Sequence, residues 1–154
     1  MVAAGGVGVG GLGRLPPPGD ALRVLSDHES NIIEGIASVL FPPGHFSVTG
    51  GDGGTAPVVD AIVADMMEPA ARIAFRFLLR AVDIAALVAR GVRFVDLPQD
   101  EKREVIDIWF SENPSPRRMA SDSFKVVVGM GFLRRPEVLK DIGWRTGCLG
   151  LGPT

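Results

Sequence analysis

The stretch PAARIAFRFLLRAVDIAALVAR, residues 69–90, is the longest run in the chain with helical periodicity. Pro69 suits the first helical turn, where its missing N–H costs nothing, and Gly91 suits the position just past the end. At a rise of 1.5 Å per residue this helix is a rod roughly 33 Å long, the width of a small domain. Ile73, Phe75, Phe77, Leu78, Val82, Ile84, Leu87 and Val88 cover most of its circumference. A helix apolar nearly all round is expected in the interior. One narrow polar stripe remains, made of Arg72, Arg76, Arg80 and Asp83. Several charges in one segment argue against a membrane span. Arg80 and Asp83 can pair at i,i+3, while the three arginines repel one another unless an anion lies near. The stripe reads either as a solvated face whose arginine stems cover apolar surface or as a docking stripe for a partner's carboxylates. A nucleic-acid surface is disfavoured, because the net charge is −2 and no second basic cluster exists.

The 154 residues suffice for one domain with a real core. Charged residues make up 22% and aromatics 6%, with no tyrosine. The mean hydropathy of +0.25 is high for a free-standing soluble domain and points to apolar surface meant for another chain. A single cysteine, Cys148, excludes an internal disulfide framework and any multi-cysteine metal site.

Outward from the long helix, the same signals repeat. Ser26-Asp27-His28-Glu29 forms a capping box, which predicts a helix to about Leu40 burying Ile32, Ile33, Ile36, Val39 and Leu40. Phe41-Pro42-Pro43-Gly44 stops it. His28 falls in the first turn, where solvent exposure is expected. Thr55 or Ala56-Pro57 opens a second helix to about Met67, with Val58, Val59, Ile62, Val63 and Met66 on its apolar face. After the long helix, Asp96 or Leu97 caps a fourth, with Pro98 in its first turn and Asp100, Glu101 and Glu104 favouring its N-terminus. Val105, Ile106, Ile108 and Trp109 form its buried side, and it ends near Ser111. A fifth helix is predicted from Pro116 to about Met130, burying Met119, Phe124, Val127 and Val128, and a short sixth from Pro136 to Ile142, closed by Gly143. The fold class is therefore all-α: a compact bundle of about six helices around a long central helix. The domain spans residues 26–145. Residues 1–25, rich in Gly and Pro, are expected to be a disordered tail, and residues 146–154 a flexible C-terminal tail.

Several glycine-rich passages imitate known sites. Residues 1–19 match G-x-G-x-x-G from Gly6 and from Gly8, but no strand precedes them and Pro16-Pro17-Pro18 follows, so a dinucleotide fingerprint is excluded. The same residues make a poor signal peptide, which favours a cytoplasmic location. Gly50-Gly51-Asp52-Gly53-Gly54 has one carboxylate, too few for calcium, and lacks the P-loop lysine and hydroxyl, so it reads as a flexible linker. His45 has no ligand partner at metal-binding spacing, and neither it nor His28 lies in a catalytic motif. The sequence carries no nucleophile–base pair and no C-x-x-C-H haem motif, so no catalytic, metal or cofactor-binding residue is assigned.

The later part of the chain has a recognisable grammar. It reads F-x-x-L-P-x-x-x-K-R over Phe94, Leu97, Pro98, Lys102 and Arg103, then I-x-x-W at Ile106 and Trp109, and ends P-E-V-L-K-x-I-G-W from Pro136 to Trp144. Upstream, S-D-H-E opens a helix that runs into L-F-P-P and a glycine-rich loop, followed by the long helix. In this order the motifs resemble the gluconate 2-dehydrogenase subunit 3 family, from about Leu25 to Trp144. A similar segment precedes the flavin domain of long-chain alcohol oxidases. The chain departs from the pattern in having Ser111 one place early, with Glu112 at the serine position, and Trp144 where the family often ends in tyrosine.

The resemblance implies a small non-catalytic subunit accompanying a flavin-dependent oxidoreductase of the glucose-methanol-choline class, with FAD in the partner and sometimes a multihaem cytochrome c subunit. Family members often carry a twin-arginine export signal, which this sequence lacks. A cytoplasmic companion of an alcohol, sugar or sterol oxidoreductase is the closer fit. Candidate partner contacts are Arg72, Arg76, Arg80, Trp109, Phe110 and Trp144, since Trp and Arg are enriched where binding energy concentrates. The competing expectation is a free-standing helical module that holds a lipid or sterol in a closed apolar cavity. A small enzyme in its own right is the least favoured reading, for want of an acid–base set.

Overall fold

The computed structural model describes residues 15–111 and 116–144, with backbone only for 116–120. Among these residues there are six α-helices and no strand: α1 (Asp27–Leu40), α2 (Thr55–Met66), α3 (Pro69–Arg90), α4 (Gln99–Phe110), α5 (Pro116–Leu133) and α6 (Pro136–Asp141), with a 3-10 turn, Phe94–Asp96, between α3 and α4. The all-α expectation holds, and the boundaries of α3 are those that Pro69 and Gly91 dictate. Gly91 takes the left-handed conformation, φ 74°, and its N–H closes the helix on the Leu87 carbonyl. The fifth helix runs to Leu133, three residues beyond Met130. The sequence-predicted C-terminal tail, Cys148 and the glycine motifs at Gly6 and Gly8 lie outside the described residues.

Helix α1 packs against α2, α3, α4 and α5 and the 3-10 turn. Its Ile32, Ile33, Ile36 and Ala37 have no exposed surface. The most extensive helix–helix packing is between α2 and α5, and Gly131 lets them approach, because a β-carbon there would run into Val59. Phe94, fully buried from the 3-10 turn, rests on Gly35 of α1, where a β-carbon would lie 2.8 Å from its ring. Phe132 stacks on Phe41, ring centroids 4.1 Å apart, and meets Phe46 edge-on at 5.3 Å.

The capping box is present as the sequence spells it: Ser26 Oγ accepts from Glu29 N–H, and Glu29 Oε2 accepts from Ser26 N–H at 2.9 Å. Glu29 does more than cap. Its side chain is 1% exposed and receives the Arg76 guanidinium, with Nε at 3.0 Å and NH2 at 3.0 Å from Oε2. NH2 of Arg76 also donates to the Pro16 carbonyl at 2.6 Å.

Two expectations change at this point. Residues 15–25, read as part of the tail, form an ordered strap across the bundle. The backbone N–H groups of Arg23, Val24 and Leu25 donate to the buried carboxylate of Asp60 at 2.7, 3.0 and 2.8 Å. Leu25 is fully buried. A buried carboxylate must find donors, and an apolar helix face supplies none, so α2 draws the strap's backbone to it. The glycine-rich loop is likewise no loose linker. Gly50 sits where any β-carbon would strike the Ala37 carbonyl. Asp52 is held by Arg135, and Glu34 of α1 accepts from Gly53 N–H at 3.1 Å and from Ala56 N–H at 2.6 Å. Glu34 thus caps α2, whose own N-cap residue, Gly54, makes no side-chain hydrogen bond.

Removing one member of a buried ion pair leaves the other charge stranded, at a cost of about 3–5 kcal/mol. Glu29→Ala is therefore expected to destabilise the domain by about that much in urea unfolding, and Glu29→Ala combined with Arg76→Met by distinctly less.

Candidate functional site

Four of the six candidate contact residues prove to be wholly or partly built into the fold. Arg76 is buried against Glu29, which removes it from any docking stripe. Arg72 donates from Nε to the Met67 carbonyl and from NH2 to the Ala64 carbonyl, both at 2.8 Å, and so satisfies the last turn of α2. Trp109 is 7% exposed and lies 6.4 Å from Phe124, ring to ring. Phe110 is half-buried under the Lys125 ammonium, 4.4 Å from its ring centre. Arg80 is half-exposed at the edge of α3. Trp144 alone is broadly open, at 60% exposure, although its N–H is fixed to the Leu139 carbonyl at 2.8 Å. The structure does not gather these six into one patch.

Asp83, the acid of the polar stripe, is also internal. It is 3% exposed and accepts from Phe94 N–H at 3.0 Å and Arg93 NH1 at 2.7 Å, and lies 2.9 Å from His28 Nε2. This cluster ties the start of α1 and the 3-10 turn to α3. His28, expected in open solvent, is half-buried through it. One signal in the sequence bears on this: Asp83 is the one acid in a long, mostly apolar helix, and such a group, if buried, needs partners brought by the fold.

With the polar stripe turned inward, the opposite side of α3 faces out. The buried residues are Phe75, Arg76, Leu79, Val82, Asp83 and Ala86. Ile73, Phe77, Ile84, Leu87 and Val88, expected in the interior, are exposed, Val88 to 82%. The described residues therefore cover one face of a helix that is apolar on both. Beside this stripe run two open apolar grooves. One, of about 340 Å³, lies between the C-terminal half of α3 and α4, with Ala85, Ala89, Val105 and Ile108 on its walls and Trp109 in its lining. The other, of about 480 Å³, lies between the N-terminal half of α3 and α5, with Ala71, Ala74, Leu78, Val126 and Val127 on its walls. Ile108 and Val126, at 56% and 58% exposure, stand on the outer rims.

Among the described residues no group of His, Cys, Asp and Glu is placed to hold a metal ion, and no helix is long and apolar enough to cross a membrane. His45 is exposed. The perturbed carboxylates answer to structure. Arg135, buried beside Phe132, grips Asp52 with two hydrogen bonds of 2.6 and 3.0 Å and holds its carboxyl below the usual range. Burial pushes Glu34 above the usual range, against the pull of the N–H groups it caps.

Among the described residues the outer face of α3, with its two grooves, is an exposed apolar patch of the kind that marks an interaction or ligand site. The family model for gluconate 2-dehydrogenase subunit 3 matches residues 27–132, and the chain belongs to that family. Comparisons with curated proteins and with solved structures find no match. The matched region runs from the first residue of α1 to the penultimate residue of α5 and includes α3 with both grooves.

The Asp52–Arg135 clamp sets a pH dependence. Because the folded-state pKa of Asp52 lies below its ordinary value, its ionised form stabilises the fold at neutral pH, and that contribution is lost as the pH falls through the carboxylate range. Glu34, shifted upward, works in the opposite sense and offsets part of the loss. Arg135→Ala is expected to cost about 2–3 kcal/mol at pH 7. It should also lessen the drop in urea midpoint between neutral and acid pH relative to the parent chain.

Proposed function

We propose that this chain is an accessory subunit that binds and stabilises a flavin-dependent oxidoreductase of the glucose-methanol-choline class, the FAD residing in the partner. Membership of a family named for a subunit of a dehydrogenase supports an oxidoreductase partner. The observation that carries the reading is the outer face of α3. Five large apolar residues exposed on one helix, with apolar grooves alongside, are costly to leave in water. Obligate interfaces are the usual cover for such a surface. The buried charged residues Glu29, Asp60, Arg76, Asp83 and Arg135 are engaged in internal caps and ion pairs, which supports a structural contribution to the complex. The alternative of a lipid or sterol module calls for a closed cavity, and both apolar grooves open to solvent along α3.

The test is purification of the chain from its native host under mild conditions, followed by an absorbance and fluorescence spectrum of the eluate. A co-eluting second protein with flavin bands is expected, and its sequence identifies the substrate class. Recovery of the chain alone, colourless and monomeric, would remove the proposal. In isolation the folded chain is expected to bind an apolar dye such as ANS, and the signal should fall when the oxidoreductase is added.

A further inference from the structure

A cleft apart from α3 differs in chemistry from the two apolar grooves. It has a volume of about 370 Å³ and lies between the outer side of α1, the glycine-rich loop, the 3-10 turn and the start of α4. Among the described residues, Val95 supplies the single apolar side chain of its lining. Asn31 and Glu34 of α1, Asp96 of the 3-10 turn and Lys102 of α4 bring polar groups to it. Its walls are fixed. Ser38 Oγ donates to the Gly35 carbonyl at 2.7 Å, and Gln99 Nε2 donates to the Ser38 carbonyl at 3.0 Å, which ties α4 to α1. Gly35 lies on the Phe94 ring and Gly51 on Ser38, each too close for a β-carbon.

The charges of this cleft are not used by the fold. Among the described residues, the Asp96 carboxylate and the half-buried Lys102 ammonium make no hydrogen bond or ion pair, with each other or with any other group, and neither does the Asn31 amide. Glu34 gives one oxygen to Ala56 N–H and the other to Gly53 N–H, and a carboxylate has acceptor positions beyond these. Because burial holds its pKa above the usual range, Glu34 gains from a cation beside it. Opposite charges that line one cleft without meeting leave space between them for the complementary charges of a ligand. A simple cation would be opposed by Lys102, and a simple anion by Asp96 and Glu34. An apolar solute would find only Val95. No group of His, Cys, Asp and Glu among the described residues is placed to hold a metal ion.

We propose that this cleft binds a small zwitterionic solute of the amino-acid class, its carboxylate on Lys102 and its ammonium on Asp96 and Glu34, with the Asn31 amide as a neutral partner. The volume suits such a solute, since small-ligand sites begin at about 300 Å³. The site is independent of the accessory-subunit reading, because no residue of α3 lines it.

The experiment follows amide NMR of the full-length chain as glycine, γ-aminobutyrate or ε-aminocaproate is added to millimolar concentration, three zwitterions with increasing separation of their charges. Butylammonium chloride and sodium butyrate, each carrying one of the two charges, are the comparison. Saturable shifts are expected at Gly35, Gly51 and Gln99 with at least one zwitterion, and binding at least tenfold weaker for the singly charged solutes. Lys102→Met and Asp96→Asn are each expected to weaken binding of that zwitterion at least tenfold. Arg103→Met, exposed on α4 outside the cleft, should leave it unchanged. Absence of a saturable shift with all three zwitterions overturns the proposal. Equal shifts from butylammonium or butyrate overturn it too, as unselective charge contacts, and so does unchanged affinity in both cleft variants. The shift map is read on the parent chain, so it decides the matter even where a variant fails to fold.

Discussion

The buried pair between Glu29 and Arg76 is the contact on which the arrangement of this bundle turns. It joins the first turn of α1 to the middle of α3, and through the Pro16 carbonyl it also anchors the strap that precedes α1. A carboxylate with 1% of its surface exposed is expensive unless fully compensated. Glu29 is compensated by two donors from its own cap and by the guanidinium fork of Arg76. The geometry that satisfies it fixes the rotation of α3 about its axis. Arg76 and Asp83 must point inward, and the residues opposite them must then point outward. The exposed apolar face of α3 is thus a consequence of where its charges had to go.

Charged residues do similar work elsewhere, between elements distant in sequence. Glu34 of α1 caps the start of α2, Arg72 of α3 closes its end, and Asp60 within it holds the strap. Arg135 fixes the glycine-rich loop through Asp52 and the Thr49 carbonyl. Arg90 bridges the end of α3 to Glu101 and Glu104 of α4. These contacts place ionised groups where helix ends and loops would otherwise leave backbone donors and acceptors unmatched. A chain with little aromatic content relies on them to join short helices.

Local chemistry carried most of the secondary structure. The capping box at Ser26–Glu29, proline at the first position of α3, and Gly91 in the left-handed conformation each state a boundary in a handful of residues. The site was harder to read. Apolar spacing marked α3 as apolar on two faces beside one polar stripe, which is correct, but spacing alone does not say whether one chain or two supply the cover. The arginine row looked like a docking stripe because four-residue spacing puts it on one face. Which face is a matter of the partners the fold brings, and Glu29 lies 47 positions away. Trp109 and Trp144 show the same ambiguity, one packed on Phe124 and the other open to solvent.

What the sequence by itself determined was an all-α chain, the position of its helices and the ends of the long one, the absence of a recognisable catalytic motif, and an excess of apolar surface. These follow from short-range rules of capping, proline geometry and periodicity, which act over three or four residues. The tertiary structure decided which face of α3 is buried, that the strap and glycine-rich loop are ordered, and that two grooves flank the long helix. Those outcomes depend on pairing charges and backbone groups tens of residues apart. No local pattern encodes that pairing, because its energy arises only once folding has removed the groups from water.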